Sequence, residues 1–208
     1  MILSQFYAVV DAEMLARRGL ELRQFAVSLR AAGVGLVQYR DKVGSPQEVL
    51  RAAAVISGVF AGVECRLILN DRADLAVLAE FDGVHLGHGD LSPDDARRVV
   101  GAGRWVGTST HTEEQVRAAE LSCADYVAVG PVFATGTKVD AEPVIGLEGV
   151  RRARALTRKP LVAIGGITRA NARNVVEAGA DSVAVISALF AEGESVEKVA
   201  RDFIEILG

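Results

Sequence analysis

The sequence has few cysteines, few aromatic residues and no long apolar run. Its two cysteines, Cys65 and Cys123, do not have the spacing of a zinc or redox motif. Both lie beside apolar residues, so we expect buried, reduced thiols. Aromatic residues amount to 5% of the chain, whereas alanine, valine, leucine and glycine are abundant. This composition favours alternating helices and strands over an all-β sandwich.

An excess of basic residues is also absent. The 208 residues carry a formal charge of −4, so no net positive field attracts nucleic acid or an acidic membrane. The first residues lack the charged start and apolar stretch of a signal peptide, and no apolar run is long enough to span a membrane. We therefore expect a cytoplasmic protein whose partners are small molecules. Self-association into a homo-oligomer stays open.

Eight short β-rich runs alternate with segments of helical spacing. Ser45 and Thr112 each precede a Glu or Gln by three positions, which is the pattern of a helix-starting capping box. Eight strand–helix units without a linker predict one α/β domain over residues 1–208, a (β/α)8 TIM barrel. An open doubly wound sheet is the competing fold, but it seldom needs eight such regular units. The predicted strands are Phe6–Val10, Val34–Tyr39, Arg66–Asn70, Gly83–Leu86, Trp105–Ser109, Tyr126–Val129, Leu161–Ile164 and Ser182–Ile186.

One connection is longer than the others. Residues 130–146 contain prolines and glycines and show no helical pattern. A loop of this length in a compact domain is usually a lid or a binding loop. Its Thr135, Thr137 and Lys138 side chains could hold an anion, so we interpret the segment as a functional loop.

The end of the second predicted strand combines an amide with two cations. In a barrel the active site is built from the carboxyl ends of the strands. Alternation along this strand places Gln38 and Arg40 on one face and Tyr39 on the other. A buried polar group without a partner costs about 1–3 kcal/mol, so polar residues inside a strand indicate a function. Lys42, which follows the strand, could equally belong to a solvated turn.

Aspartates follow the third and fourth predicted strands. Asp71 alone could cap the next helix, and Asp90 alone could be a turn residue. Adjacent strands bring the two together, and such a pair matches the way Mg²⁺ is held by carboxylates, waters and substrate oxygens. His85 and His88 suggest zinc instead, but no cysteine or third histidine shares their spacing. The sequence therefore favours a magnesium site.

Strands five, seven and eight end in residues suited to binding phosphate. Ser109 could donate to a phosphate or leaving group, and His111 could act as an acid–base group or face solvent. Gly165-Gly166 ends strand seven and Ser187 follows strand eight, where barrels often bind phosphate through backbone N–H groups. Two separate anion sites fit a reaction that joins a diphosphate to a phosphate monoester.

The motifs together resemble those of the thiamine-phosphate synthase family, in that family's order and over nearly the whole chain. The resemblance implies condensation of 4-amino-2-methyl-5-(diphosphooxymethyl)pyrimidine with a hydroxyethylthiazole phosphate. The products are thiamine phosphate and pyrophosphate, and pyrophosphate leaves, assisted by Mg²⁺, before the thiazole nitrogen attacks. The segments that carry the resemblance are Val37–Lys42, Asn70–Arg72, Gly83–Gly87, Gly107–His111, Gly130–Phe133, Thr135–Lys138 and Ile164–Ile167.

The resemblance also implies a role for each matching residue. Asp71 and Asp90 would bind Mg²⁺, and Arg40, Ser109 and Lys138 would act in the chemical step. The residues that would bind the pyrimidine diphosphate are Gln38, Arg40, Lys42, Asn70, Ser109 and Lys138. Tyr39 and Asp41 would also belong to the substrate-binding residues. Those that would bind the thiazole phosphate are Thr135, Gly136, Thr137, Gly166, Ile186 and Ser187. The chain departs from the family pattern at Asp41, at His88-Gly89 and at Gly136.

Three alternatives remain at this point. A thiazole tautomerase of the same superfamily would use His111 for proton transfer, but that branch tends to lack part of the diphosphate-binding set that is present here. An isomerase or aldolase-like barrel would need a carboxylate or lysine base on a strand, and the sequence offers no strong candidate. A non-catalytic sensor with the same ligands can be separated only by measuring activity.

Overall fold

The computed structural model describes residues 3–136 and 143–208. Eight parallel strands pair in sequence order, and the first pairs with the last, so the sheet closes into a barrel. This closure confirms the (β/α)8 prediction and excludes the open sheet. The strands are β1 (Phe6–Asp11), β2 (Leu36–Arg40), β3 (Arg66–Asn70), β4 (Gly83–Leu86), β5 (Trp105–Thr110), β6 (Tyr126–Val129), β7 (Leu161–Ile164) and β8 (Ser182–Val185).

Helices follow the strands and surround the barrel. Both predicted capping boxes are present: Ser45 exchanges hydrogen bonds with Glu48, and Thr112 does the same with Gln115. Among the described residues the helices are α1 (Ala12–Arg17), α2 (Leu22–Ala31), α3 (Pro46–Phe60), α4 (Ala73–Leu78), α5 (Pro93–Val100), α6 (Glu113–Leu121), α7 (Gly146–Leu156), α8 (Ala172–Glu177) and α9 (Val196–Leu207). A short 3₁₀ helix, Ser187–Leu189, lies between β8 and α9.

Strand alternation divides the apolar side chains into two layers. Tyr7, Leu36, Ile68 and Tyr126 belong to a cluster inside the barrel. Their neighbours along the strands, such as Tyr39, pack in a larger cluster between the sheet and the helices. The barrel is therefore a filled core, and ligands can enter only at its ends.

Three aspartates stabilise the amino-terminal end of the barrel in the same way. Each stands immediately before an even-numbered strand, and its carboxylate accepts a backbone N–H at or near the start of the preceding strand and pairs with an arginine. The three sets are Asp82 with Leu67 and Arg66, Asp125 with Val106 and Arg97, and Asp181 with Leu161 and Arg154. These contacts stabilise the amino-terminal end of the barrel, whereas the active sites of such barrels lie at the carboxyl end.

Two further expectations concern surface properties. In the part of the chain that the structure describes, no helix has the length and apolar character needed to cross a membrane. The expectation of buried thiols is wrong: Cys123 is exposed and Cys65 is only partly covered. Both cysteines lie outside the strands and helices, so the apolar residues next to them in sequence do not bury them.

Candidate active site

A cavity opens at the carboxyl ends of the strands. Its volume is about 540 Å³, including the open mouth. The barrel core closes it from below, and its walls come from residues that point inward. It is lined by Tyr7, Val9, Gln38, Arg40, Asn70, His85, Ser109, Thr110, His111, Ala128, Gly130, Val162, Ile164, Ala184 and Ile186. The structure thus brings together Gln38, Arg40, Asn70, Ser109 and Ile186, which the sequence had marked separately.

Arg40 lies on the cavity wall and is held by a residue that the sequence analysis missed. Its Nη1 donates to Oδ2 of Asp11, the last residue of β1. The β1–β2 register places Asp11 directly beside Arg40. The position of Asp11 at the end of an apolar strand was the sequence signal that could have revealed it. Arg40 is therefore a paired cation, oriented before any ligand binds.

Asp71 and Asp90 meet at the mouth beside Lys42. Asp71 has φ of 64°, a left-handed conformation that residues other than glycine seldom adopt. Such strain is concentrated at functional sites. Burial raises the pKa of Asp71, the adjacent Asp90 carboxyl raises it further, and the Lys42 ammonium, to which Asp71 is hydrogen-bonded, opposes the shift. Asp90 also accepts the N–H of Gly87 at 2.7 Å.

This arrangement suits a divalent cation that completes its shell with other oxygens. Two neighbouring carboxylates repel each other, and a cation between them would remove that repulsion. Within residues 3–136 and 143–208, no cluster of three or more His, Cys, Asp or Glu side chains is found. A hard ion such as Mg²⁺ commonly uses one or two protein carboxylates and takes the rest from water and phosphate.

The histidines that suggested zinc do not form a site. His88 is exposed in the turn after β4. His85 is buried, and both of its ring nitrogens have partners: Nδ1 lies 3.0 Å from the Tyr126 hydroxyl and Nε2 lies 2.9 Å from Ser109 Oγ. Its ring stacks against Tyr126 at 5.5 Å. His85 therefore belongs to the polar core of the cavity floor.

A chain of five polar side chains crosses that floor. Gln38 Nε2 donates to the Tyr7 hydroxyl at 2.8 Å, and this hydroxyl lies 3.2 Å from that of Tyr126. His85 and Ser109 continue the chain as described above. Because Gln38 donates at one end, the tyrosine hydroxyls are left to donate onward, and His85 then accepts at Nδ1 and donates from Nε2. With the hydrogen bonds running in this direction, Ser109 Oγ accepts from His85, and the Ser109 hydroxyl hydrogen can point towards a ligand.

Burial keeps the two tyrosines of this chain neutral. It raises the pKa of both Tyr7 and Tyr126 well above that of an ordinary phenol. Asn70 adds a further polar group at the cavity wall, and its Nδ2 is buried without a hydrogen-bond partner in the described part of the protein. A buried amide donor of this kind is well placed to donate a hydrogen bond to a ligand oxygen.

The β7–β8 end of the mouth is shaped by two glycines. Gly165 and Gly166 have φ of 103° and 64°, both in the left-handed region. A Cβ on Gly166 would lie 2.6 Å from the carbonyl oxygen of Ala134. Phe133 N–H donates to Gly165 O at 3.0 Å, so these glycines hold the start of the long loop against β7. Thr135 and Gly136 are thereby carried to the same end as Ile186 and Ser187.

Some predicted residues lie elsewhere. Tyr39 faces the outer layer, and its hydroxyl donates to Asp41 at 3.2 Å. Asp41 accepts the backbone N–H of Gly44 at 2.7 Å and so shapes the turn after β2. These contacts point the Tyr39 side chain away from the cavity, because alternation along β2 directs it towards the helices. Thr137 and Lys138 lie outside the described residues.

His111 lies on the cavity wall and is half-buried. Its Nδ1 lies 2.6 Å from Gly130 O, and a carbonyl partner requires Nδ1 to carry the proton. Of the two neutral tautomers, this contact selects the one whose lone pair is on Nε2.

Comparisons with known proteins give the family. The sequence model of the family described as thiamine monophosphate synthase matches residues 6–189. The chain belongs to this family. It is 49% identical over 207 residues to a thiamine-phosphate synthase of Koribacter versatilis, covering 99% of this chain and 96% of that relative. A relative of the same name from Methanoculleus marisnigri is 43% identical, with 90% and 88% covered.

A solved structure agrees with the family assignment. A thiamine phosphate pyrophosphorylase from Pyrococcus furiosus superposes with a TM-score of 0.85 at 30% identity, covering 98% of this chain and 95% of that one. The predicted family and its barrel are both confirmed. The family consists of enzymes, so the protein is an enzyme of the transferase class.

Proposed function

We propose that the protein condenses 4-amino-2-methyl-5-(diphosphooxymethyl)pyrimidine with a hydroxyethylthiazole phosphate to give thiamine phosphate and pyrophosphate. The observation that carries this proposal is that two groups of residues suited to binding anions lie at opposite sides of one mouth. Arg40, Lys42 and the two aspartates follow β2–β4, whereas the glycine turn and Ser187 follow β7 and β8. Between them lies a cavity of about 540 Å³, lined by Arg40 and Asn70 on the first side and by Ile164 and Ile186 on the second.

The β2–β4 side would hold the diphosphate. Arg40 offers a bidentate guanidinium, and Asn70 offers a buried amide nitrogen that has no partner among residues 3–136 and 143–208. Asp71 and Asp90 would hold Mg²⁺, which would neutralise charge on the diphosphate oxygens. Lys42 already contacts Asp71, so it lies beside the same anion. By family resemblance, Lys138 would be brought in from the long loop.

The reaction is proposed to be dissociative, so pyrophosphate departs before the thiazole nitrogen attacks. Such a step needs charge stabilisation on the leaving oxygens and exclusion of water, and it needs no nucleophilic side chain. Arg40, Ser109 and Lys138 would supply the stabilisation. The Ser109 hydroxyl is suited to it because the polar chain through His85 directs its hydrogen outward.

The β7–β8 side would hold the thiazole phosphate. Backbone N–H groups near Gly166 and at the start of the 3₁₀ helix at Ser187 would bind the phosphate oxygens. Ile186 lines the cavity and would contact the ring. By family resemblance, Thr135, Gly136 and Thr137 would also hold the phosphate. With small-molecule substrates at both sites, we propose a cytoplasmic location and no nucleic-acid or membrane partner.

One observation supports a second candidate, the thiazole tautomerase. His111 lies on the cavity wall, and its Nδ1 is bound to Gly130 O, which leaves Nε2 able to accept a proton. That activity would use the thiazole site alone and leave Arg40, Asn70 and the aspartate pair without a task. The synthase explains both sides of the cavity and is the better proposal.

The deciding experiment measures pyrophosphate release by the purified protein with Mg²⁺ and the pyrimidine diphosphate, with and without the thiazole phosphate. We expect release that needs both substrates, accompanies thiamine phosphate and stops with EDTA. Interconversion of thiazole tautomers without pyrophosphate release would replace the synthase by the tautomerase. Tight binding of both ligands with neither reaction would indicate a sensor.

A further inference from the structure

We propose that Asp11 is a positioning residue that holds the Arg40 guanidinium in the orientation needed at the diphosphate. The inference rests on the proposed function for the identity of the anion. Its structural basis is the Asp11–Arg40 ion pair at the carboxyl ends of β1 and β2. Neither the sequence motifs nor the family resemblance pointed to Asp11.

Asp11 is placed behind Arg40 and away from the ligand. Its side chain is 3% exposed and that of Arg40 is 13% exposed. Arg40 lines the cavity, whereas Asp11 does not. A carboxylate in this position cannot contact the diphosphate itself, and like charge would make such contact unfavourable. Its influence on the reaction must pass through Arg40.

The carboxylate is itself held from two sides. Oδ1 accepts the backbone N–H of Met14 at 2.9 Å and so caps α1, while Oδ2 accepts from Arg40 Nη1. The strand register fixes the Asp11 backbone beside that of Arg40. One buried group thus joins the start of α1 to the catalytic cation.

This pairing pre-organises Arg40. Within residues 3–136 and 143–208, Arg40 makes no hydrogen bond from Nε or Nη2, so both can serve the ligand. A free arginine must give up side-chain conformational freedom when it binds, and one that is already held loses less. Stabilisation of the departing pyrophosphate depends on donors fixed in advance.

Two simpler roles for Asp11 predict different effects on ligand binding. If Asp11 only reduced the charge of Arg40, its removal would leave a stronger cation and tighten anion binding. If Asp11 only capped α1, its replacement by another capping residue would have no effect on the ligand. Asp11→Ser separates these roles, because serine is an effective cap at this position and cannot pair with Arg40.

The first test measures binding of inorganic pyrophosphate with Mg²⁺ by calorimetry to the wild type, Asp11→Ser and Asp11→Ala. We expect both variants to bind pyrophosphate roughly tenfold more weakly, because Arg40 is no longer held in position. A tenfold loss corresponds to about one charge-assisted hydrogen bond. The melting temperature should fall in both variants, because both lose the ion pair, and it should fall further in Asp11→Ala, which also loses the cap. Unchanged or tighter pyrophosphate binding to Asp11→Ser overturns the proposal.

The second test places Asp11→Ser in an Arg40→Gln background. If Asp11 acts through Arg40, it lowers kcat roughly tenfold alone and adds nothing once Arg40 is replaced, whereas independent residues give additive losses. The KM for thiazole phosphate should stay constant. Additive losses overturn the proposal. A wild type that makes no thiamine phosphate, yet binds pyrophosphate in an Asp11-dependent way, overturns the proposed function alone.

Discussion

Nε2 of His85 lies 2.9 Å from Oγ of Ser109, deep on the floor of the cavity. Through this contact, the hydroxyl that faces the proposed leaving group is connected to a buried chain that begins at Gln38. The orientation of the Ser109 hydrogen therefore depends on groups that do not touch the diphosphate.

Tyr126→Phe tests this dependence by removing the hydroxyl that links Tyr7 to His85. We expect kcat to fall about tenfold, because an interrupted buried hydrogen bond costs roughly 1–3 kcal/mol. Tyr39→Phe is the matched control, since it removes a tyrosine hydroxyl from the outer face of β2. Steady-state kinetics give the comparison. If both variants retained the wild-type kcat, the hydrogen-bonded side chains would not orient Ser109 for the reaction.

Asp71→Asn and Asp90→Asn test the magnesium site. Asparagine tolerates the left-handed conformation of Asp71, so we expect the melting temperature to stay within a few degrees of the wild-type value. Each variant loses one carboxylate, and we expect turnover to fall about a hundredfold or more, with a higher Mg²⁺ concentration at half-maximal rate. Asp95→Asn on the exposed face of α5 serves as the control. Near-normal turnover in both site variants would remove the metal assignment.

Gly166→Ala tests the thiazole phosphate side. The new Cβ would meet Ala134 O at 2.6 Å and push the loop that carries Thr135 away from β7, so we expect a higher KM for thiazole phosphate. Gly193→Ala is matched in backbone strain, with φ of 73°, but its Cβ would meet nothing within 4 Å. Both variants should lose about 1–2 kcal/mol of stability from the left-handed backbone. Equal KM values in the two variants would argue against a binding role for this loop.

Glu80→Gly tests whether the left-handed backbone at Glu80, away from the active site, lowers the stability of the protein. Glu80 follows α4 with φ of 56°, and its N–H and that of Phe81 bond back to Val77 and Ala76 as in a Schellman motif. Glycine adopts this conformation freely, so the free energy of unfolding should rise by about 1 kcal/mol. Glu80→Ala retains the strained Cβ and should bring no gain. Thermal melts of the two variants give the comparison, and an equal response would assign the effect to the glutamate side chain.

Most of the barrel could be predicted because its signals are local. Four predicted strands, including β3 and β4, have the observed bounds, and the capping residues Ser45 and Thr112 start their helices. Alternation also placed Gln38 and Arg40 on the inner face. The thiols were predicted wrongly, because burial of Cys123 depends on packing and not on its neighbours in sequence.

The candidate site could be predicted only in part. Residues at strand ends, such as Asn70 and Ser109, could be recognised because the fold sends all strand ends to one rim. Asp11 was missed because its one signal, a carboxylate at the end of an apolar strand, does not by itself indicate a partner on the next strand. Tyr39 was included with its segment although its side chain packs outward.

The sequence by itself determined the eight strand–helix units, their order and the family, because periodicity, capping and motif spacing are properties of short segments. Only the tertiary structure decided which polar groups are partners: Asp11 with Arg40, Lys42 with Asp71, and His85 with Tyr126 and Ser109. Those pairings join different strands, and closure of the barrel brings the strands to their final register. The physical reason is that hydrogen bonds and charge effects act over a few ångströms, a distance that the linear order of residues does not specify.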